Sequence, residues 1–147
     1  TPSDLAEVDL GTTAGVDVTG KKGWMLELPA SGEKVLSTPL ILFGEVFFTT
    51  YIPNLASEGK CKPVIGASSL WRVSASDGAA SFDFNKDGSI TTADRYQEGM
   101  VQGLGGAPQL LIGDDGKNVI ITGTGVERNK DLGTPTMRRT RWYEKAK

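Results

Sequence analysis

The chain has 147 residues, a formal charge of −2, one cysteine and no histidine. That length is about one domain's worth and can bury a core, while the slightly acidic balance excludes broad electrostatic capture of nucleic acid or anionic membrane. The missing histidines remove the commonest general base and zinc ligand, Cys61 has no internal disulfide partner, and no apolar run approaches the ~20 residues of a membrane helix.

Thr1 stands where Met would begin a chain and no signal-type apolar stretch follows, so the sequence reads as a mature or excised piece of something longer. Residues 1–22 are polar, carry Gly11, Gly15 and Gly20, and read as a linker or arm ahead of a β module spanning 23–147. Trp24 to Leu28 has strand character and is stopped by Pro29. Val35 to Phe43 and Val46 to Ile52 are rich in β-branched and aromatic residues, and the Gly44-Glu45 pair between them suits a type II′ hairpin turn. Pro39 in the first arm points to an edge position or a bulge.

Pro53 to Ala67 reads as a polar loop holding Cys61, a small packed or partly exposed thiol. Leu70, Arg72 and Ser74 alternate with Trp71, Val73 and Ala75 in a strand that ends at Asp77-Gly78. Gln109–Ile112 and Val119–Thr122 flank a Gly113–Lys117 loop as a second hairpin, and Arg138–Tyr143 reads as a last strand. No long amphipathic helix appears. The expected class is mainly β, with antiparallel hairpins and glycine-rich turns. Such units suit one or two propeller blades and equally a sandwich; a closed propeller needs about four blades or more and exceeds this length.

Between the two hairpins lies the segment with the most specific chemistry. Asp83, Asn85, Asp87 and Asp94 occupy positions one, three, five and twelve of a calcium-type loop, with Gly88 at six. A hard cation needs several oxygens from a short, sharply turning backbone. Ser89 offers its main-chain carbonyl at seven and Thr91 a water-mediated contact at nine, and Ile90 at eight is expected to anchor the loop in the core. Aspartate at twelve, one methylene shorter than glutamate, and Lys86 both weaken the site. The expected affinity is about 10⁻⁵ to 10⁻³ M, which fills in calcium-rich medium outside a cell. Thr91 to Asp94 also fits a capping box, with a helix of about two turns running through Tyr96 and Glu98 to Gly99.

Other candidates carry less. Arg138, Arg139 and Arg141 beside Trp142 and Tyr143 read as a charged edge strand rather than a nucleic-acid surface. Gly103–Gly106 does not open a βα unit, and Asp114-Asp115-Gly116 lacks the spacing of a second cation loop. No nucleophile has a visible base and no two carboxylates are placed as an acid–base pair, so no enzyme activity is expected.

The order of landmarks carries a resemblance. Lys22-Gly23-Trp24, Leu28-Pro29, Gly32–Leu36, Pro39-Leu40, Gly44–Pro53, Cys61, Ser69–Val73, the Asp83–Asp94 loop and Arg138–Glu144 follow collinearly over roughly residues 22–145. In this the chain resembles the C-terminal region of the PilY family, the tip-associated biogenesis factors and adhesins of type IV pili. The resemblance implies a bacterial protein exported through the periplasm to the extracellular surface, with a modified β-propeller bearing one EF-hand-like calcium loop and a short helix. It implies Ca²⁺ held by Asp83, Asn85, Asp87 and Asp94, with Ser89 and Thr91 as lesser ligands. It also implies roles in pilus assembly, pilus dynamics and surface adhesion, with minor pilins or other pilus subunits and host-surface ligands as partners, and neither nucleic-acid binding nor membrane insertion. About two blades' worth of strands are present. Two other readings stand beside it: a dockerin-like docking module of a carbohydrate-active enzyme, which would carry two such loops, and a repeated extracellular filament subunit.

Overall fold

The computed structural model describes residues 1–53, 65–112, 118–122 and 125–129. The expected strand at 138–143, most of the loop at 53–67 with Cys61, and the turn at 113–117 lie outside the described residues. A single 3-10 turn at Pro2–Asp4 leads into β1 (Ala6–Glu7), which pairs in parallel with β2 (Trp24–Met25). The main sheet follows: β3 (Lys34–Val35), β4 (Leu40–Leu42), β5 (Glu45–Ile52), β6 (Ala67–Ser74) and β7 (Tyr96–Gln102). A second sheet holds β8 (Pro108–Ile112), β9 (Asn118–Thr122) and β10 (Gly125–Asn129). Both sheets are antiparallel meanders, in the orders β3/β4–β5–β6–β7 and β8–β9–β10. The mainly β, antiparallel reading therefore holds.

β5 and β6 form the centre, paired in register from Glu45 opposite Ser74 to Ile52 opposite Ala67. The pleat sends Phe47 and Thr49 with Arg72 and Leu70 to one face, and Phe48 and Thr50 with Trp71 and Ser69 to the other. On the first face Phe47 packs with Ile120 of the second sheet, flanked by Leu40, Leu42 and Leu110. Polar side chains join the same layers: the Thr49 hydroxyl donates to Gly106 O (3.1 Å) and the Ser68 hydroxyl to Gly103 O (2.7 Å). On the second face Trp71, with no exposed surface, stacks between Phe48 and Tyr96 at 5.5 and 4.3 Å. Its indole N–H donates to Thr50 Oγ1 at 3.0 Å, so the largest side chain of the core is both dry and satisfied.

Several expectations are revised. The first hairpin turns one residue earlier than Gly44-Glu45: Leu42 pairs with Glu45, and Phe43 (φ 50°) with Gly44 (φ 81°) makes the two-residue loop. Positive φ at both positions is a type I′ turn, whose twist matches the strands it joins. Pro39 splits the first arm, so β3 and β4 pair with different stretches of the same edge of β5. The strand from Trp24 is two residues long, and its partner is the arm at residues 6–7. The helix expected after Thr91 is one 3-10 turn, Thr92–Arg95; Tyr96 is already extended (φ −152°, ψ 153°) because its ring is committed to the Trp71 stack. Gly99 (φ 64°) then sits in a bulge of β7 rather than at a helix end, where the register shifts between Ser68 and Leu70.

Candidate cation-binding loop

The turn that follows β6 is built on Ser74 and Asp77, with Gly78 N–H donating to Ser74 O (2.9 Å) and Ala79 N–H to Asp77 Oδ1 (3.2 Å). From there Ser81 to Thr91 loops outward, and residues 85–90 are exposed. Two left-handed residues curl it: Lys86 at φ 60° and Gly88 at φ 91°. For glycine that conformation is free of steric cost, which is why this position in the pattern requires it.

The curl turns alternate side chains onto the loop's own backbone. Asp83 Oδ1 and Oδ2 accept from the N–H groups of Asp87 (3.2 Å) and Gly88 (2.8 Å). Asn85 Oδ1 accepts from Asp87 N–H (2.9 Å), Asn85 Nδ2 donates to Asp87 Oδ2 (2.8 Å), and Asp87 Oδ1 accepts from Ser89 N–H (2.8 Å). Three of the expected ligand side chains, Asp83, Asn85 and Asp87, are thus brought to one turn.

Asp94 lies apart from them in environment: it is fully buried. Its Oδ1 accepts from the N–H groups of Phe84 (3.0 Å) and Asn85 (3.4 Å), and its Oδ2 from the N–H and the hydroxyl of Thr91, both at 2.8 Å. Four donors fill the lone-pair sites of a carboxylate. Burial pushes the Asp94 carboxyl up, but the bonds from Thr91, Asn85 and Phe84 outweigh it and hold its pKa below the ordinary value. Asp94 and Thr91 form the expected capping box, closing the loop by clasping both its ends. Ile90, expected in the core, is 48% exposed; Asp94 takes over the anchoring.

The entry to the loop is fixed from the sheet. Phe84 meets Phe82 edge-on (5.1 Å), and Phe82 covers the Arg72 guanidinium at 4.0 Å. Arg72 is 5% exposed and pairs with Glu45, Nη2 at 2.7 Å and Nε at 2.9 Å from the same oxygen. The exit is fixed by Arg95, fully buried, whose Nη2 donates to Thr12 O (2.6 Å) and Ala14 O (2.9 Å) and whose Nη1 donates to Gly78 O (3.3 Å). Burial pushes the Arg95 pKa down, with Asp9 and Asp77 acting the other way. The sequence puts Arg72 in its strand but shows neither its ion pair nor the burial of Arg95. A charged residue in an alternating strand gives no sign that both faces are covered.

The side chains of Asp83, Asn85, Asp87 and Asp94 offer oxygen atoms, a ligand type that suits a hard cation such as Ca²⁺ and not a thiophilic metal. Among the described residues, no three Asp, Glu, His or Cys side chains converge as a preformed metal-binding group. Next to the loop a cleft of about 320 Å³ is lined by Phe84, Asn85, Ala93, Asp94, Tyr96, Gln97 and Glu98. Among the described residues no helix is long and apolar enough to cross a membrane. The chain matches no protein-family profile, no curated protein and no solved structure.

Proposed function

We propose that this chain is a non-enzymatic, calcium-binding β module of a type IV pilus tip or pilus-associated protein, acting in pilus assembly, dynamics and surface adhesion. The observation that carries the calcium reading is the Asp83–Asn85–Asp87 turn, curled by Lys86 and Gly88 so that alternate side chains fold inward on one short backbone. Asp83, Asn85 and Asp87 would hold the ion by side chain, Ser89 by its carbonyl and Thr91 through water. Asp94, at position twelve of the EF-hand-like loop, would join the ion only by giving up one of its four hydrogen bonds, and otherwise serves the site as the clasp that closes the loop. The ion would supply charge neutralisation and a rigid crosslink, fixing an exposed surface for docking to minor pilins or host ligands.

The pilus assignment rests on the collinear resemblance to the PilY family. The four-stranded meander β4–β7 packed against the three-stranded β8–β10 is compatible with one blade and most of the next in a modified propeller. The setting is extracellular, where an ion bound at about 10⁻⁵ to 10⁻³ M is retained.

Calorimetry with CaCl₂, repeated on Asp83→Ala and Asp87→Ala, tests the site: heat and a raised melting temperature are expected in the parent and neither in the variants. No heat, or unchanged affinity in both variants, refutes it. Capture assays on minor pilins and on cohesin-type partners test the assignment, since retention by cohesins alone would favour a dockerin-like module.

A further inference from the structure

The single turn Thr92–Arg95 carries two adjacent, fully buried side chains with different clients. Asp94 holds the cation loop through Phe84, Asn85 and Thr91. Arg95 holds the N-terminal arm through the carbonyls of Thr12 and Ala14. The arm has few other ties here: Val16 N–H donates to Asp77 O (3.0 Å), and Ala80 N–H to Thr13 O (3.1 Å). It also lies so close that a Cβ on Gly15 would sit 2.2 Å from Asp77 Cγ.

Both side chains hang from adjacent positions of one short turn in a close-packed interior, so a displacement of the turn that moves one moves the other. Arg95 is poised in this respect: its Nε is buried with no hydrogen-bond partner among the described residues, so its grip rests on three main-chain carbonyls. Asp9 and Asp77 are the carboxylates that act on it, one on the arm and one on the turn beneath.

We infer that cation occupancy of the 83–94 loop and docking of the arm at residues 9–16 are thermodynamically linked through Asp94 and Arg95, the arm serving as a strap that the ion tightens. The inference rests on the calcium reading of the loop. Linkage is reciprocal: whatever factor calcium adds to arm docking, arm docking adds to calcium affinity.

Amide hydrogen exchange on the full chain, with calorimetry on the same samples, tests it. In the parent protein, saturating calcium is expected to slow exchange at Val16 and Ala80 about tenfold, within the usual range of coupling between sites. Gly15→Ala, whose three nearest atoms all belong to Asp77, outside the loop, pushes the arm and Asp77 apart and is expected to weaken calcium binding by about the same factor. Arg95→Lys keeps the charge, loses the fork across two carbonyls, and is expected to bring the calcium effect on Val16 and Ala80 close to one-fold. The parent measurement needs no variant, so a misfolded Arg95→Lys does not blunt the test. Calcium heat with unchanged exchange at Val16 and Ala80 overturns the linkage and spares the site. So does faster Val16 exchange in Gly15→Ala with undiminished calcium affinity. Absence of calcium heat in the parent overturns the site reading itself, and the linkage with it.

Discussion

Replacing Glu45 with Gln leaves the Arg72 guanidinium charged inside the main sheet. Arg72 and Glu45 side chains are 6% and 14% exposed, and a single carboxylate oxygen receives both Nη2 and Nε. Removing one partner of a buried pair costs about 3–5 kcal/mol, most of it the penalty of the stranded charge. Glu45 is partly hydrated and Gln keeps one acceptor oxygen, so a cost just under that range, about 2–3 kcal/mol, is expected. At this chain length that lowers Tm by roughly 5–10 °C. Urea or thermal unfolding followed by tryptophan fluorescence reports it, since one of the three tryptophans, Trp71, has no exposed surface in the folded protein. The cost should persist in about 1 M salt, where exposed pairs are screened away. The double variant Glu45→Leu with Arg72→Met should recover most of it, because an apolar pair of similar volume needs no desolvation. A loss below about 1 kcal/mol, or one that vanishes in salt, would mean that water reaches the pair and that the entry to the loop is not fixed by Arg72.

Two further outcomes follow from local geometry. Phe43→Asn relieves a left-handed aromatic residue in the type I′ turn and is expected to stabilise the protein by about 0.5–1 kcal/mol in the same unfolding assay; a destabilised variant would mean that the exposed Phe43 ring makes contacts that matter. The folded pKa of Asp94 is depressed, so its contribution to stability is complete above the ordinary value of 3.8 and is lost as pH falls through the folded value. Exchange protection at the Phe84 and Thr91 amides should therefore hold from neutral pH down to about 4 and collapse below it. Asp94→Asn should flatten that profile, whereas a loss already complete at about pH 5 would contradict the clasp.

The central strands were legible because β5 and β6 concentrate β-branched and aromatic residues, and the sharp curl at Gly88 because Asp, Asn and Gly at this spacing favour a turn. Other elements were set by partners distant in sequence. Tyr96 follows a sound capping box, and local propensity alone carries the helix onward. The Trp71 ring across the sheet outweighs it, at 4.3 Å. The first turn was misplaced by one residue because a glycine serves either the first position of type II′ or the second of type I′, and only strand register decides. The burial of Arg95 was hidden for a similar reason: two of its three carbonyl partners, those on the arm, lie 81 and 83 residues away in the chain. The arm at 1–22, polar and rich in glycine, gave no sign that Ala6 and Val8 are buried.

The rims of the main sheet have a consequence for the company this protein can keep. On one side Pro39 breaks the border into stretches of two and three residues; on the other the Gly99 bulge interrupts β7. A strand from a neighbouring molecule would find no long, straight ladder to extend along. Sideways extension of the main sheet by a neighbouring copy is thereby obstructed, even where many copies are crowded together.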